Sequence, residues 1–344
     1  MHVLVIGGTH FIGPVVVRRL HAQGHEVTLF HRGRSTAELP DDIKHILGDR
    51  NNLADFRDTF KELKPDVVLD MILITEKHAQ QVVTTFRDIA QRIIAISSQD
   101  VYRAYGILIG KEQGLEPTPL TEESLLRQKL YPYREEKPRA VDDPRKILDD
   151  YDKIPIEKTV MGAPDLSGTV LRLPMVYGPG DYQHRLFEYL KRMDDERPAI
   201  VLDPELAAWR SSIGYVENVA EAIALAVTSK TAGNRIYNVA EPDCPTIAEW
   251  VKEIGNVVGW HGEIVVVERE KLPESLRPDF NAKQHLTVDT TRIRNELGYH
   301  EAVSRHEALA RTVEWERKNP PARVRPEQFD YEAEDTVLKA IKKH

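Results

Sequence analysis

Short apolar runs recur along the first part of the chain, separated by stretches in which apolar residues return at helical spacing. Such runs, bounded by turn residues, are typical of strands buried on both faces of a parallel sheet. They are HVLVI (2–6), HEVTLF (25–30), IKHILGD (43–49), PDVVLDMIL (65–73) and RIIAISS (92–98). Helical spacing follows the first run and returns over about 53–63 and 76–90. The alternation predicts an α/β fold with a doubly wound parallel sheet and helices on both faces.

The regular pattern weakens after residue 102. Residues 103–150 are rich in Pro, Glu, Lys and Arg and have little apolar periodicity. We therefore expect a long insertion that covers one end of the sheet as a lid. Strand and helix signals return in GTVLRLPMVYG (168–178), GYVENVAEAIALAV (214–227) and NRIYNVAE (234–241). The last periodic stretch predicts a short amphipathic helix over about 331–342.

The composition narrows the class of protein. With 344 residues, 41% hydrophobic and 30% charged, the chain is typical of a globular protein. Its net charge of −8 makes a nucleic-acid partner a poor expectation, because phosphate binding favours a basic surface. The single cysteine, Cys244, allows no intrachain disulfide, and no apolar run approaches the roughly 20 residues that span a bilayer. The first strand begins at residue 2, so we expect no signal peptide, no membrane partner and a cytoplasmic location.

A glycine-rich turn follows the first strand and reads GGTHFIG. Turns of this kind let backbone N–H groups approach a pyrophosphate at a helix N-terminus. Gly7 and Gly13 hold the outer positions of a G-x-x-G-x-x-G pattern, and His10 stands where a third glycine is usual. The turn predicts a dinucleotide site. Two roles for His10 stay open: its imidazole contacts a cofactor phosphate, or it faces solvent.

The end of the second strand bears on which dinucleotide is bound. Folds that prefer NAD place an acidic residue there to accept hydrogen bonds from the adenosine ribose. Here the strand ends LFHRGR, in which Arg32 and Arg34 offer guanidinium groups suited to a 2′-phosphate. The sequence favours NADP(H), with NAD(H) as the alternative and a solvated basic turn as the non-functional interpretation.

Several ordered motifs resemble one family. GGTHFIG, GD (48–49), SSQDVY (97–102), LRLPMVYGPGD (171–181), YVENVAEAI (215–223) and YNVAEP (237–242) follow the order found in extended short-chain dehydrogenases/reductases. The chain is similar, over about residues 1–315, to the NAD-dependent epimerase/dehydratase group and its atypical GGT-[RH]-F-[IL]-G branch. The resemblance implies a Rossmann-type fold in which Asp49 contacts the adenine amine, Arg50 stacks on the adenine, and Pro174 and Val176 line the nicotinamide. The cofactor residues expected in all are Gly7, Thr9, His10, Phe11, Ile12, Gly13, Arg32, Arg34, Asp49, Arg50, Met71, Lys153, Pro174 and Val176.

The resemblance also implies a proton relay. The family uses a serine after the fifth strand and a tyrosine four residues before a lysine, and Ser98 fits the serine position. YREEK (133–137) fits the tyrosine–lysine spacing but lies between two prolines. Within 142–160, where Asp143 and Pro144 suit a helix start, Lys153 fits the lysine position and Asp149 falls in the tyrosine position.

The tyrosine itself is left open by the sequence. Tyr151 is two residues from Lys153, which is about 200° around an ideal helix. Either an irregular helix start brings Tyr151 to the site, or Tyr131 or Tyr133 of the insertion replaces it, or the protein binds cofactor without this relay. Family dehydratases place Asp and Glu after the serine, where this chain has Gln99 and Asp100, so a dehydratase mechanism loses one of its acids.

The function expected from these residues is that of an NADP(H)-dependent oxidoreductase or isomerase. Its small-molecule substrate would be sugar-like, free or nucleotide-linked, and would contact Gln99, Tyr133, Tyr182 and Arg210. The alternative is a cofactor-binding sensor or RNA-binding protein that has lost catalysis. The scattered histidines, such as His285, predict no metal site. A homodimer is common in the superfamily.

The predicted domain organisation has two lobes. Residues 1–177, including the insertion 103–150, and 211–240 form the dinucleotide-binding domain. Residues 178–210 and 241–318 form a substrate-binding lobe, and 319–344 form a tail.

Overall fold

The computed structural model describes residues 1–35, 37–135, 137–324 and 326–341. The strands of this part of the chain are β1 (His2–Ile6), β2 (Glu26–His31), β3 (Lys44–Leu47), β4 (Val67–Asp70), β5 (Arg92–Ser98), β6 (Ser167–Leu173), β7 (Met175–Tyr177), β8 (Ala199–Leu202), β9 (Ile213–Tyr215), β10 (Arg235–Asn238) and β11 (Glu263–Val266). Its helices are α1 (Ile12–Ala22), α2 (Arg57–Leu63), α3 (Glu76–Phe86), α4 (Arg103–Leu108), α5 (Lys153–Met161), α6 (Phe187–Asp194), α7 (Pro204–Ala208), α8 (Val216–Thr228), α9 (Ile247–Val258), α10 (Thr291–Leu297), α11 (Arg305–Lys318) and α12 (Tyr331–Ile341).

Seven of these strands form one parallel sheet in the order β10-β6-β5-β4-β1-β2-β3. The chain therefore runs outwards from β1 in one direction and then returns to build the other half from β4. In such a sheet the ligand cleft opens at the carboxyl ends of the strands, where the order reverses between β1 and β4.

The apolar side chains of β1 alternate between two cores. Val3 and Val5 pack in the cluster that includes Ile223 of α8, whereas Leu4 and Ile6 pack in the cluster that includes Phe86 of α3. Helices therefore cover both faces of the sheet, which explains why its inner strands read as continuous apolar runs rather than as an alternating pattern. The predicted fold class is confirmed.

The remaining strands make two small pairs beyond the sheet. β8 pairs in parallel with β11, and β7 pairs in parallel with β9. Helices α6, α7 and α9 pack around them, and α12 follows the tail nearly as predicted, with residue 342 outside the described residues. None of the helices in the described ranges is long and apolar enough to cross a membrane. The division into lobes stays a prediction.

The segment 103–150 is packed against the sheet although it has little regular structure. After α4 it buries Leu120, and the Glu122 carboxylate accepts a hydrogen bond of 2.8 Å from the backbone N–H of Asn238 in β10. The buried pair of Arg127 and Asp152, 3.0 Å apart, ties the segment to the start of α5. Buried ion pairs of this kind fix the path of a chain that has few backbone ladders.

The prediction that a helix begins at Asp143–Pro144 is wrong. The chain makes a short 3₁₀ turn over Lys146–Asp149, and α5 begins only at Lys153. The carboxylate of Asp152 accepts a hydrogen bond of 2.9 Å from the N–H of Ile154 and so caps the helix. Tyr151 is therefore in the connecting chain before α5.

Candidate active site

The glycine turn between β1 and α1 is shaped by close backbone packing. Gly7 and Gly8 have φ of +89° and +84°, which side chains rarely adopt. A Cβ on Gly13 would lie 2.5 Å from the backbone of Gly8, and a Cβ on Gly8 would lie 2.8 Å from Leu29. Gly8 was missed as a site residue, although the GG pair at the strand end carries the signal. The turn brings the first turn of α1 directly onto the end of β1.

A cleft of about 530 Å³ opens at this turn. Its walls include ten of the residues predicted for the cofactor, namely Gly7, Thr9, His10, Phe11, Ile12, Arg32, Arg34, Asp49, Arg50 and Met71. Sequence reasoning missed other wall residues, among them Ser35, Asn51, Ile74, Ile96 and Ile147. Gly13 and Val176 are buried, Pro174 lies against Gly214, and Lys153 donates a hydrogen bond of 3.0 Å to the carbonyl of Ile96. Most of the predicted cofactor residues therefore meet in one cleft.

His10 and Tyr182 lie at the mouth of this cleft. His10 is exposed and lines the cleft, so its imidazole is accessible to a ligand. The ring of Tyr182 lies edge-on to Phe11, with centroids 6.4 Å apart, and Tyr182 also lines the cleft. Tyr182 was expected at the substrate, but the structure places it on the wall that begins at the glycine turn.

The other end of the cleft is formed by the ends of β2 and β3. Arg32 and Arg34 line it, and the Asp49 carboxylate accepts a hydrogen bond of 2.9 Å from the N–H of Asn51. The guanidinium of Arg50 donates to the buried carboxylate of Asp70 at 2.6 Å. Burial raises the pKa of Asp70, and the charge of Arg50 opposes that rise. Arg50 is thus held inward by Asp70 while lining the cleft, and its stacking on an adenine stays a prediction.

Polar side chains converge at the end of β5. The Tyr151 hydroxyl donates to Oδ2 of Asp100 at 2.8 Å, and the Tyr133 hydroxyl donates to the same oxygen at 3.2 Å. Tyr105 lies beside them, with its hydroxyl 2.9 Å from that of Tyr133. Asp100 is 5% exposed, and its Oδ1 has no hydrogen-bond partner among the described residues. The backbone N–H of Asp100 donates a hydrogen bond of 3.2 Å to the Ser98 hydroxyl oxygen. The predicted serine therefore lies beside Asp100.

The Lys153 ammonium lies beside the ring of Tyr151, which two residues of an ideal helix at this spacing would not allow. Its Nζ is 5.5 Å from the centre of the Tyr151 ring and donates to the carbonyls of Leu73 and Ile96. Because α5 begins at Lys153, the angular argument from an ideal helix does not apply to Tyr151. Asp149, which the family alignment put in the tyrosine position, is instead ion-paired with Arg139 and Lys146.

The electrostatics of this group favour neutral hydroxyls and a carboxyl that takes up a proton readily. Burial raises the pKa of Asp100. Burial also raises the pKa of Tyr151, and the negative charge of Asp100 adds to that rise. Burial lowers the pKa of Lys153 to about 8, against the opposing charges of Asp100 and Asp70. The arrangement holds a hydroxyl and a proton acceptor together, which is the requirement for general acid–base chemistry.

Two residues expected at the substrate direct their side chains to other partners. Gln99 is buried and donates to the carbonyl of Val239 at 3.0 Å. Arg210 donates to the carbonyl of Cys244 at 2.6 Å and lies 3.4 Å from the carboxylate of Glu249. Of the predicted substrate residues, Tyr133 is the one bonded to Asp100.

A second cavity, of about 590 Å³, lies among β7, β8, α6 and the segment 276–280. Its walls carry aromatic rings and arginines, including Tyr177, Arg185, Tyr189, Arg192, Trp209, Trp250, Arg277 and Phe280. The rings of Trp209 and Phe280 are 4.9 Å apart. The backbone N–H of Asn281 donates to the carbonyl of Leu108 in α4 at 2.8 Å, which connects this wall to the segment that follows Asp100. We call this space the lobe cavity.

Comparison with known proteins gives concordant matches. Residues 3–240 match the model of the NAD dependent epimerase/dehydratase family. The chain is 24% identical over 320 residues to the chloroplast stem-loop binding protein of 41 kDa b from Arabidopsis thaliana, covering 86% of this chain and 74% of that protein. It is 24% identical over 341 residues to a UDP-N-acetyl-alpha-D-glucosaminuronate decarboxylase of Bacillus cytotoxicus, covering 92% and 97%.

A solved structure shares the fold at low identity. The dTDP-glucose 4,6-dehydratase of Bacillus anthracis, solved in complex with NAD, superposes with a TM-score of 0.66 at 17% identity. The match covers 93% of this chain and 97% of that chain.

Proposed function

The chain belongs to the NAD dependent epimerase/dehydratase family, and on that basis we propose that it is an NADP(H)-dependent oxidoreductase or isomerase acting on a sugar-like substrate. The observation that carries this proposal is the contact of Tyr151 with Asp100, beside Lys153 and at the end of the strand that lines the cofactor cleft. When bound, a nicotinamide cofactor supplies the exchange of a hydride with a substrate carbon.

The proton of the substrate oxygen is the part of the reaction that the chain itself handles. When the substrate is oxidised, Tyr151 passes its hydroxyl proton to Asp100 and takes the proton of the substrate hydroxyl in its place. When the substrate is reduced, the path runs in reverse: Tyr151 gives its proton to the substrate oxygen and regains one from the protonated carboxyl of Asp100. Ser98 orients the substrate oxygen. Lys153 uses two of its three N–H groups on backbone carbonyls, and its positive charge next to the ring stabilises a tyrosinate. We assign the third N–H to a ribose hydroxyl of the cofactor.

The preference for NADP(H) is supported by charge. Arg32 and Arg34 line the end of the cleft where an adenosine ribose would lie, and the end of β2 offers no carboxylate to repel a 2′-phosphate. His10, exposed at the glycine turn, is assigned to the pyrophosphate. The dehydratase from Bacillus anthracis was solved with NAD, which makes NAD(H) the alternative.

The lobe cavity is our candidate for the substrate. Pockets that combine aromatic faces with a few guanidinium groups suit a ring carrying hydroxyls or phosphate. The decarboxylase and dehydratase relatives act on sugars linked to UDP and dTDP, so a nucleotide-linked sugar is the form to try first. A cytoplasmic location and a homodimer stay predictions.

The experiment that tests this function has two parts. Calorimetry measures the affinity for NADP+ and NAD+, and chromatography follows the conversion of UDP- and dTDP-hexoses in the presence of the preferred cofactor. We expect micromolar binding of NADP+ and conversion of at least one sugar. Tight cofactor binding without conversion of any sugar would instead favour the sensor.

RNA binding is the second candidate, because one relative is named as a stem-loop binding protein. Retention of a stem-loop RNA that weakens with rising salt would support it, although the net charge of −8 opposes it.

A further inference from the structure

A buried ion pair joins residues near the carboxyl end of the described chain to the wall of the lobe cavity. We call residues 326–341, which comprise a 3₁₀ turn (Pro326–Phe329) and α12, the strap. The Glu334 carboxylate of the strap lies 2.8 Å from the guanidinium of Arg192 in α6, and both side chains are buried. The same guanidinium donates to the carbonyl of Gln328 at 2.8 Å and lies 5.0 Å from the ring centre of Phe329.

Two residues of this connection are also walls of the cavity. Arg192 and Gln328 both line it. On the outer side of the cavity, Val337 and Leu338 of the strap pack in one cluster with Val201 and Leu276, which line the cavity as well. The strap therefore contacts the cavity from two directions, through α6 and through the segment that holds β8.

Charge makes this connection hard to replace. Without Glu334 the buried guanidinium of Arg192 would lose the carboxylate that it contacts, and removing one partner of a buried ion pair is strongly unfavourable. Arg197 also approaches the second oxygen of Glu334 at 3.6 Å, and Asp335 pairs with Arg197. Glu334 and Asp335 of α12 thus balance the charges of two arginines. Arg192 lies within α6, and Arg197 lies in the connection between α6 and β8.

We propose that the strap is the outer wall of the substrate cavity and that Glu334 is the positioning residue that fixes Arg192 within it. This inference rests on the proposed function, because it names what determines which sugars the lobe cavity accepts. Arg192 forms part of the cavity wall at this point, and the strap sets the width of the cavity beside it.

The test uses the full chain and three variants. Glu334→Gln keeps the shape of the side chain and removes its charge, whereas Glu334→Asp keeps the charge. Glu332→Gln is the matched control, because Glu332 is exposed on the same helix. For the sugar that the wild type converts, we expect Glu334→Gln to raise KM at least about tenfold with kcat and the NADP+ dissociation constant within about twofold. Glu334→Asp should recover part of the loss, and Glu332→Gln should match the wild type.

Hydrogen exchange gives a readout that needs no substrate. In Glu334→Gln, peptides covering 185–202 and 272–280 should lose protection, while those covering the glycine turn keep it. An unchanged KM, or a loss of protection spread evenly over the whole chain, would overturn the proposal. Gln328→Trp is a further variant that keeps the proposal testable if Glu334→Gln fails to fold. Gln328 is exposed, so the change spares the fold, and the larger ring should raise KM by narrowing the cavity. If no sugar is converted but the exchange pattern appears, the proposed function fails and the role of the strap in shaping the cavity stands.

Discussion

The hydroxyl of Tyr151 donates a hydrogen bond of 2.8 Å to Oδ2 of Asp100 across 51 positions of the sequence. The contact joins the end of β5 to the chain that precedes α5. Because Tyr133 donates to the same oxygen, one carboxylate orients two tyrosines. The predictions below follow from this group and from the cofactor cleft.

Removing the Tyr151 hydroxyl should remove the proton donor and leave the cleft unchanged. For Tyr151→Phe we expect turnover to fall by about 10²–10⁴ with the NADP+ affinity unaltered. Tyr131→Phe is the control, because no side-chain contact in the described residues ties Tyr131 to Asp100. An active Tyr151→Phe enzyme, with Tyr133→Phe inactive, would transfer the role to the tyrosine of the 103–150 segment.

Asp100→Asn should separate stability from activity. Burial raises the pKa of Asp100, so the contribution of this carboxyl to stability is fully present below its unfolded pKa and is lost as the pH rises through its folded pKa. Asparagine does not have this loss. Calorimetric Tm values should therefore show the variant gaining on the wild type as the pH rises above the unfolded pKa of about 4, while its turnover falls because the amide accepts no proton. A constant Tm difference over that range would contradict the assignment.

Lys153 should set the alkaline limb of the activity. Burial lowers its pKa to about 8, so its positive charge is lost as the pH rises through that value, and turnover should fall with it. Lys153→Arg keeps a charge at higher pH, and we expect the limb to move upward. The pH profiles of kcat for both proteins check this; identical limbs would assign the titration to another group.

The arginines at the end of β2 should favour NADP+ over NAD+, because only NADP+ carries a 2′-phosphate. Arg34→Ala should weaken NADP+ binding by about tenfold or more, since a charge-assisted hydrogen bond contributes about 1.5–3 kcal/mol, and should leave NAD+ binding nearly unchanged. Arg18→Ala is the matched control, because Arg18 is on α1 and bonds to the carbonyl of Glu38. Equal losses for the two cofactors would point to a general effect of charge.

His10→Ala tests the role of the imidazole at the glycine turn. We expect calorimetry to show weaker binding of both NADP+ and NAD+, because the pyrophosphate is common to the two. Binding equal to that of the wild type would place the side chain in solvent.

The sheet was predictable from sequence because its inner strands are buried on both faces. Each apolar run, from HVLVI to RIIAISS, needs no partner to be recognised. The cleft followed in turn, since the glycine turn and the end of β2 are short local patterns at known places in such a sheet.

The group of side chains around Asp100 was not predictable in the same way. The contact of Asp100 with Tyr151 depends on where α5 begins, and Asp152 competes with Asp143 for the capping role. A helix can begin after either of two capping residues, and the local sequence does not decide between them. The ion pair of Arg192 with Glu334 joins residues 142 positions apart and has no local signature.

The contact between Gly8 and Gly13 separates positions of the turn that packing constrains from a position that packing leaves open. A side chain at either position meets backbone or core atoms at once, so variation there is removed through loss of folding, whatever the cofactor. His10 lies between them with its side chain outside the packing. We therefore expect substitutions of His10 to act on ligand binding more than on folding, which makes it a position in the turn where cofactor recognition can change.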